Sequence, residues 1–232
     1  MQAQEVVVYP SGFPRWLEWI LTSVGLVLLA PLLGLGAIAV KLSSPGPVLF
    51  KQQRIGRGGK PFVLYKFRTM YVHASGPGVT AGKDRRITRV GRLLRKTKLD
   101  ELPELWNIVR GDMALVGPRP EVPAFVTLDD VRWRQVLAVR PGITDPVTLW
   151  LRNEEELMNQ VEDVEQFYRE VLLPIKLKKN IEYLTQRSPW RDFMIILRTI
   201  EAIIRPAKYP SPTLEEIYAL SNQIAHGSEA RV

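Results

Sequence analysis

Between Ile20 and Val40 the chain reads ILTSVGLVLLAPLLGLGAIAV, without a single charged residue. As a helix such a run covers about 30 Å, the thickness of a bilayer's hydrocarbon core. Any fold must therefore bury this stretch in lipid or protein. Trp16 and Trp19 stand just before it, where tryptophan favours a membrane interface. Three readings compete. Ala37-Ile38-Ala39 resembles a signal-cleavage site, but the run is about twice as long as a typical signal core. A straight spanning helix is the second reading. The third is a re-entrant hairpin bent at Pro31, since an interior proline costs a helix about 3 kcal/mol, and Gly25, Gly34 and Gly36 ease a bend. Cations flank both ends, Arg15 before and Lys41, Lys51 and Arg54 after. By the positive-inside rule this fits both ends on the cytoplasmic side, as in a hairpin, while hydropathy alone does not choose between the readings.

The remaining composition narrows the chemistry. Lys and Arg (32) outnumber Asp and Glu (24), for a net charge of +8, so the expected partners are anionic: phosphate esters, acidic headgroups or nucleic acid. There is no cysteine, which excludes disulfides, thiolate metal sites and cysteine nucleophiles. His73 and His226 lie far apart in the sequence, which gives little support to Ser-His or His-metal chemistry. Carboxylates are left to carry any reaction.

Beyond Ser43-Ser44-Pro45-Gly46-Pro47 the text becomes strand-like. Val48 to Ile55 and Phe62 to Met70 flank the glycine-rich Gly56 to Pro61, a hairpin pattern. Alternation puts Lys66 and Arg68 on one face, and Val63, Tyr65 and Phe67 on the other. A solvated polar face is the plain reading of the first set. His73 to Lys83 reads as a loop able to move over a site. Arg85 to Lys98 then reads as a basic amphipathic helix with Arg85, Arg89, Arg92 and Lys96 on one side. No nucleic-acid module accompanies it, so lipid headgroups are the better match for its charge.

Two adjacent carboxylates, Asp100 and Glu101, follow that helix, and Arg119 sits between Pro118 and Pro120. Neighbouring carboxylates are able to divide labour, one as nucleophile or metal ligand and the other as base or orienting group. The plain alternative is a capping box, Thr97 with Asp100, ahead of a helix with Pro103 in its first turn. Farther on, Glu154-Glu155-Glu156 reads as a solvated helix start. Val161 to Lys179 reads as a helix interrupted at Pro174, with Lys176, Lys178 and Lys179 toward headgroups. Ser188-Pro189 opens a helix with Phe193, Ile196, Leu197, Ile200, Ile203 and Ile204 on one face. That face packs on a core or, with Trp190 beside it, lies in a membrane plane. Thr213 to Ile224 reads as a short helix in a polar tail, packed on a neighbouring subunit or mobile.

Several motifs in order resemble the bacterial monotopic phosphoglycosyl transferases over about Phe13 to Arg205: Phe50-Lys51-Gln52-Gln53-Arg54-Ile55-Gly56, Leu64 to Met70, Leu99-Asp100-Glu101-Leu102-Pro103-Glu104-Leu105-Trp106-Asn107, Gly111-Asp112-Met113, Val116 to Glu121 and Arg140-Pro141-Gly142-Ile143-Thr144. The resemblance implies transfer of a sugar 1-phosphate from a UDP-sugar to polyprenol (undecaprenyl) phosphate, with release of UMP. It implies Asp100 as nucleophile beside Mg²⁺, Glu101 as its partner, and a covalent phosphosugar-aspartate. Arg119, Lys66, Arg68, Arg95 and Arg140 are the candidate phosphate-binding cations, each with a structural ion pair as the alternative. Two departures stand out: Ala30-Pro31 replaces the family's frequent Ser-Pro at the bend, and Asp145-Pro146 follows Thr144 in place of a glycine-led continuation.

The expected fold is a helix-rich α+β enzyme embedded in the membrane, with a re-entrant helix, a small antiparallel sheet and amphipathic interfacial helices. Its divisions are an arm over 1–15, the membrane hairpin over 16–42, a catalytic domain over 43–205 and a tail over 206–232. The expected location is the cytoplasmic face of a bacterial inner membrane, with membrane lipids as partners, no nucleic acid, and a homodimer left open. The rival readings are a tethered protein that binds nucleotide sugars or anionic lipid without turnover, and a UDP-sugar hydrolase.

Overall fold

The computed structural model describes residues 8–72 and 84–229. The loop expected over His73 to Lys83 therefore lies outside the described residues. Helices α1 (Arg15–Leu28) and α2 (Ala30–Ser43) meet at Leu29 with a bend of 60°. Pro31 lies in the first turn of α2, where its missing N–H costs nothing. The break thus falls just ahead of the proline. Among the described residues no single helix is long and apolar enough to cross a membrane, although this bent pair has the length and composition to do so. One face of α1 buries Glu18 and Thr22, while Trp16, Trp19, Val24 and Val27 are exposed.

The strands β1 (Leu49–Ile55) and β2 (Pro61–Phe67) form the expected antiparallel hairpin, in register from Leu49 opposite Phe67 to Ile55 opposite Pro61. Gly58 and Gly59 turn it with φ of 68° and 75°, the left-handed region that glycine enters freely. Leu64, Lys66 and Arg68 share a face that turns inward, so that face is not the solvated one, and Phe67 on the opposite face is buried as well, against Val40 and Leu94. Helix α3 (Arg89–Lys96) begins later than its sequence pattern suggested. Ile87 is bridged to Met70, and Thr88 caps the helix by accepting from the Gly91 N–H at 2.8 Å.

Next come α4 (Glu104–Arg110), β3 (Ala114–Val116), α5 (Val131–Val136) and β4 (Gly142–Thr144). β3 and β4 pair in parallel, Ala114 opposite Gly142 and Val116 opposite Thr144. This parallel pair is a second sheet that the sequence did not announce, beside the expected antiparallel one: the chain between its strands runs through α5, and such a crossover returns a strand in the same direction. The short helices α6 (Pro146–Trp150), α7 (Glu154–Met158) and α8 (Val164–Phe167) follow. A π-turn over Tyr168–Leu172 then leads without a break into α9 (Leu173–Thr185). Pro174 lies in the first turn of α9, directly after the π-turn, and does not interrupt the helical run.

Helix α10 (Pro189–Ile204) starts where expected, with Ser188 Oγ accepting from the Arg191 N–H at 3.1 Å. Most of its apolar stripe does not pack on a core; Ile196 is the exception, set against the cluster of Val116, Tyr183, Leu184 and Ile195. Ile195 and Ala202 face inward, whereas Phe193, Leu197, Ile200, Ile203 and Ile204 face out, with Trp190 beside them. Helix α11 (Leu214–Glu229) outruns its expected length and opens with a capping box, Thr213 and Glu216 each accepting from the other's backbone N–H. It packs wholly buried Ile217 against the main core, which joins α5, α6, α9 and the π-turn through Trp133, Val147, Leu172 and Ile175.

Candidate active site

Thr97 decides where the acidic pair points. Its hydroxyl donates backward to the carbonyls of Leu93 (2.9 Å) and Leu94 (3.2 Å), closing α3 and forming no capping box with Asp100. Lys98 then takes a left-handed turn, φ 58°, the only such non-glycine residue among those described. Leu99–Glu101 form a single 3-10 turn, and Leu99 lodges against Val40, Phe67 and Leu94. This compact reversal leaves Asp100 on the wall of a cavity of about 1040 Å³, with Glu101, Lys66, Arg95, Lys98 and Arg119 around it.

The two carboxylates meet opposite environments. Glu101 lies 3.1 Å from Lys66 Nζ and is gripped in two-pronged fashion by Arg119, through Nη2 to Oε1 and through Nη1 to Oε2 at 3.3 Å. Burial pushes its pKa up, but Arg119 and Lys66 reverse that and hold it well below the usual carboxylate range. Asp100 is 7% exposed, and its Oδ1 is buried with no hydrogen-bond partner. Burial and the Glu101 charge raise its pKa against the pull of Lys66 and Arg95. Glu104, wholly buried, makes a 3.1 Å ion-pair contact to the same Lys66. Behind them Asn107 ties α4 to β2, its Nδ2 donating to Val63 O (2.7 Å) and its Oδ1 accepting from the Tyr65 N–H (3.2 Å).

The structure sorts the candidate cations. Lys66 and Arg119 stand at the acidic pair. Arg95 lines the same cavity but is engaged with Glu155 and, at 3.3 Å, with Thr69 Oγ1. Arg68 also reaches the wall, yet its Nη atoms are spent on the carbonyls of Pro45 (2.5 Å), Ser44 (2.7 Å) and Val40 (3.4 Å), at the C-terminus of α2. Arg140 is not brought to the cavity: it donates to Met113 O (2.8 Å) and pairs with Glu18 Oε2 (2.6 Å) on α1. Glu18 also accepts from the Leu115 N–H at 3.1 Å.

A second buried network lies beyond Arg119 and was not visible in the sequence. Glu121 accepts from Tyr168 Oη and from Lys176 Nζ (3.0 Å), and Lys176 donates to Tyr168 Oη at 2.7 Å. Glu154 approaches Lys176 at 3.6 Å, and Arg54 bonds the Pro120 carbonyl at 2.9 Å. Lys176 is therefore not a headgroup contact: it is buried and belongs to this network, as Glu154 does. Burial opposes ionisation of Glu121, and Lys176 and Arg54 restore it, leaving its pKa below the usual range. The misleading signal was the company of Lys178 and Lys179; the helpful one was Glu121, which closes the Pro-Arg-Pro motif.

Against known proteins, residues 10–206 match the family model described as bacterial sugar transferase. The chain is 41% identical over 195 residues to a "UDP-glucose:undecaprenyl-phosphate glucose-1-phosphate transferase" of Caulobacter vibrioides, covering 82% of this chain and 69% of that one. It is 36% identical over 215 residues to an Escherichia coli protein of the same name, and 34% identical over 197 residues to an Aeromonas hydrophila "UDP-N-acetylgalactosamine-undecaprenyl-phosphate N-acetylgalactosaminephosphotransferase". These two alignments cover 86% and 82% of this chain but only 43% of either relative, so the chain spans less than half the length of both.

Proposed function

The chain belongs to the bacterial sugar transferase family, and from that membership we propose that it moves a sugar 1-phosphate from a UDP-sugar to undecaprenyl phosphate and releases UMP. The observation that carries the chemistry is the contrast between the acidic neighbours: Glu101 is neutralised by Lys66 and Arg119, and Asp100 keeps a buried oxygen with nothing bound to it. In the first step Asp100 Oδ1 attacks the sugar-bearing phosphorus. A P–O bond forms, the P–O bond to UMP breaks, and a phosphosugar-aspartate remains. In the second step an oxygen of undecaprenyl phosphate attacks the same phosphorus and displaces the Asp100 carboxylate, giving the lipid diphosphate sugar. Lys66 and Arg119 offset the repulsion between a carboxylate and an anionic diphosphate.

The residues present fit Mg²⁺ in a limited way. Among the described residues no cluster of three or more acidic or histidine side chains gathers to hold a metal. Glu101 and Glu104 are occupied by cations, which leaves the Asp100 carboxylate as the protein ligand, through the oxygen that does not attack phosphorus. Mg²⁺ commonly takes one or two carboxylates and completes its shell with water and substrate phosphate. When bound there it would supply Lewis-acid neutralisation of phosphoryl charge.

We further propose that the α1–α2 hairpin enters the inner membrane from the cytoplasmic side over 16–42, with the catalytic domain of 43–205 resting on the surface. The outward apolar stripe of α10 and the exposed Trp16, Trp19 and Trp190 support that seating. A soluble donor and a lipid acceptor then meet where the lipid's phosphate already lies.

The test is the intact mass of the detergent-held protein after incubation with Mg²⁺ and a panel of UDP-sugars. The expected result is a phosphosugar adduct that undecaprenyl phosphate discharges, absent in Asp100→Asn. UMP release without an adduct removes Asp100 from its role and favours direct transfer or hydrolysis. Donor binding without UMP release favours a binding protein.

A further inference from the structure

The cavity that holds Asp100 continues past Lys176 to Asn180, one helical turn farther along α9. Asn180 is 6% exposed, its Oδ1 is buried without a partner, and its Nδ2 bonds none of the described residues. An unpaired buried amide costs about 1–3 kcal/mol, and an apolar side chain of the same size would avoid that cost. The charged groups nearby have partners already: Lys176 is held by Glu121 and Glu154, and Asp145 caps α6 through the backbone N–H groups of Val147 (2.6 Å) and Thr148 (2.9 Å). This end of the cavity is thus electrically balanced, whereas at the Asp100 end Arg68 and Lys98 line the wall without a carboxylate partner among the described residues.

The π-turn contributes to this arrangement. In an uninterrupted helix, Tyr168 and Lys176, eight positions apart, point about 80° away from each other. The wider turn over Tyr168–Leu172 removes most of that angle and lets Tyr168, Lys176 and Asn180 all face the cavity.

We propose that Asn180 is a substrate-specificity residue whose amide pairs with an uncharged donor-acceptor group of the nucleotide sugar. The ligand's identity rests on the transfer reading above. A primary amide presents N–H beside C=O, the complement of the imide edge of uracil and of a sugar's acetamido or hydroxyl groups. The cationic end takes the diphosphate and the balanced end takes the neutral part.

The experiment compares the wild-type full chain in detergent with Asn180→Leu and Asn180→Ala. It measures thermal midpoint, UMP affinity by titration, and kcat/KM with UDP-glucose and UDP-N-acetylglucosamine. The expected result is a midpoint no lower than wild type in Asn180→Leu, together with a loss of about tenfold or more in recognition. A loss seen with UMP assigns the amide to uracil. Unchanged UMP affinity with a fall in kcat/KM assigns it to the sugar. Retained affinity and retained kcat/KM overturn the proposal, and so does a midpoint several degrees lower in both variants, which would make Asn180 a structural residue. A wild type that binds UMP but turns over no donor sinks the transfer reading; the UMP arm alone then decides Asn180, lost affinity supporting it and retained affinity overturning it. A wild type that does neither overturns both.

Discussion

Glu101 sits between Lys66 and Arg119, and Asp100 beside it faces the cavity with one oxygen unbound, so the two acids respond to pH in opposite directions. The Glu101 pKa is depressed on folding. Its stabilisation is complete above the unfolded carboxylate value of about 4.3 and is lost as pH falls through the folded value. The Asp100 pKa is raised, so its ionised form costs stability at neutral pH. That cost disappears below the unfolded value of about 3.9. Asp100→Asn is therefore expected to melt higher than wild type at pH 7, with the difference shrinking toward pH 4, while UMP release falls by at least about 10³-fold. Melts across pH paired with a UMP assay read both effects. Arg119→Lys removes the two-pronged grip on Glu101 and offers the phosphate a point charge. Donor turnover is expected to fall about 10²-fold, with the chain still folded by circular dichroism.

Elements whose signals are local were legible in the sequence. The β1–β2 hairpin follows from alternation and its glycine turn, and α10 from Ser188-Pro189. The acidic pair and Pro-Arg-Pro also stood out, because rare residue types sit at fixed spacing. Long-range pairing was not legible. Nothing near Arg140 announces a partner 122 positions away on α1, and Lys176 looked like its exposed neighbours until Glu121 was found under it. The outward stripe of α10 satisfies the same periodicity as an inward one. At this scale the parallel pair β3–β4 is the part that carries Arg119 on its trailing loop. A Cβ on Gly142 would lie 2.1 Å from the Gly117 nitrogen, a collision between backbones. Gly142→Ala is expected to destabilise by about 2–4 kcal/mol and to lower donor turnover with it, measured by denaturant melts and UMP release. Glu18→Gln leaves the Arg140 charge uncompensated between α1 and β3. About 3 kcal/mol of stability is expected to go, seen as a midpoint drop of about 6–12 °C.

For the whole molecule the decisive question is on which side of a bilayer the two ends of the hairpin emerge. The chain has no cysteine, so single cysteines at the exposed Ser11 and Pro45, on either side of the hairpin, are clean reporters. Both are expected to react with an impermeant maleimide from the cytoplasmic side of oriented vesicles; labelling from opposite sides would make α1–α2 a spanning segment. Each arm is also fastened to the rest of the chain by an arginine, Arg140 to Glu18 on α1 and Arg68 to the Ser44 and Pro45 carbonyls just beyond α2. A helix pair fastened at both arms is a peg, not a tether. Seated as proposed, such a peg makes the height of Asp100 above the bilayer midplane a fixed length of protein, while the height of the proposed acceptor's phosphate is set by the thickness of the leaflet. In the proposed reaction lipid chain length then becomes a variable, because thinning or thickening the leaflet by a few ångströms moves the phosphate past an Asp100 that does not follow it.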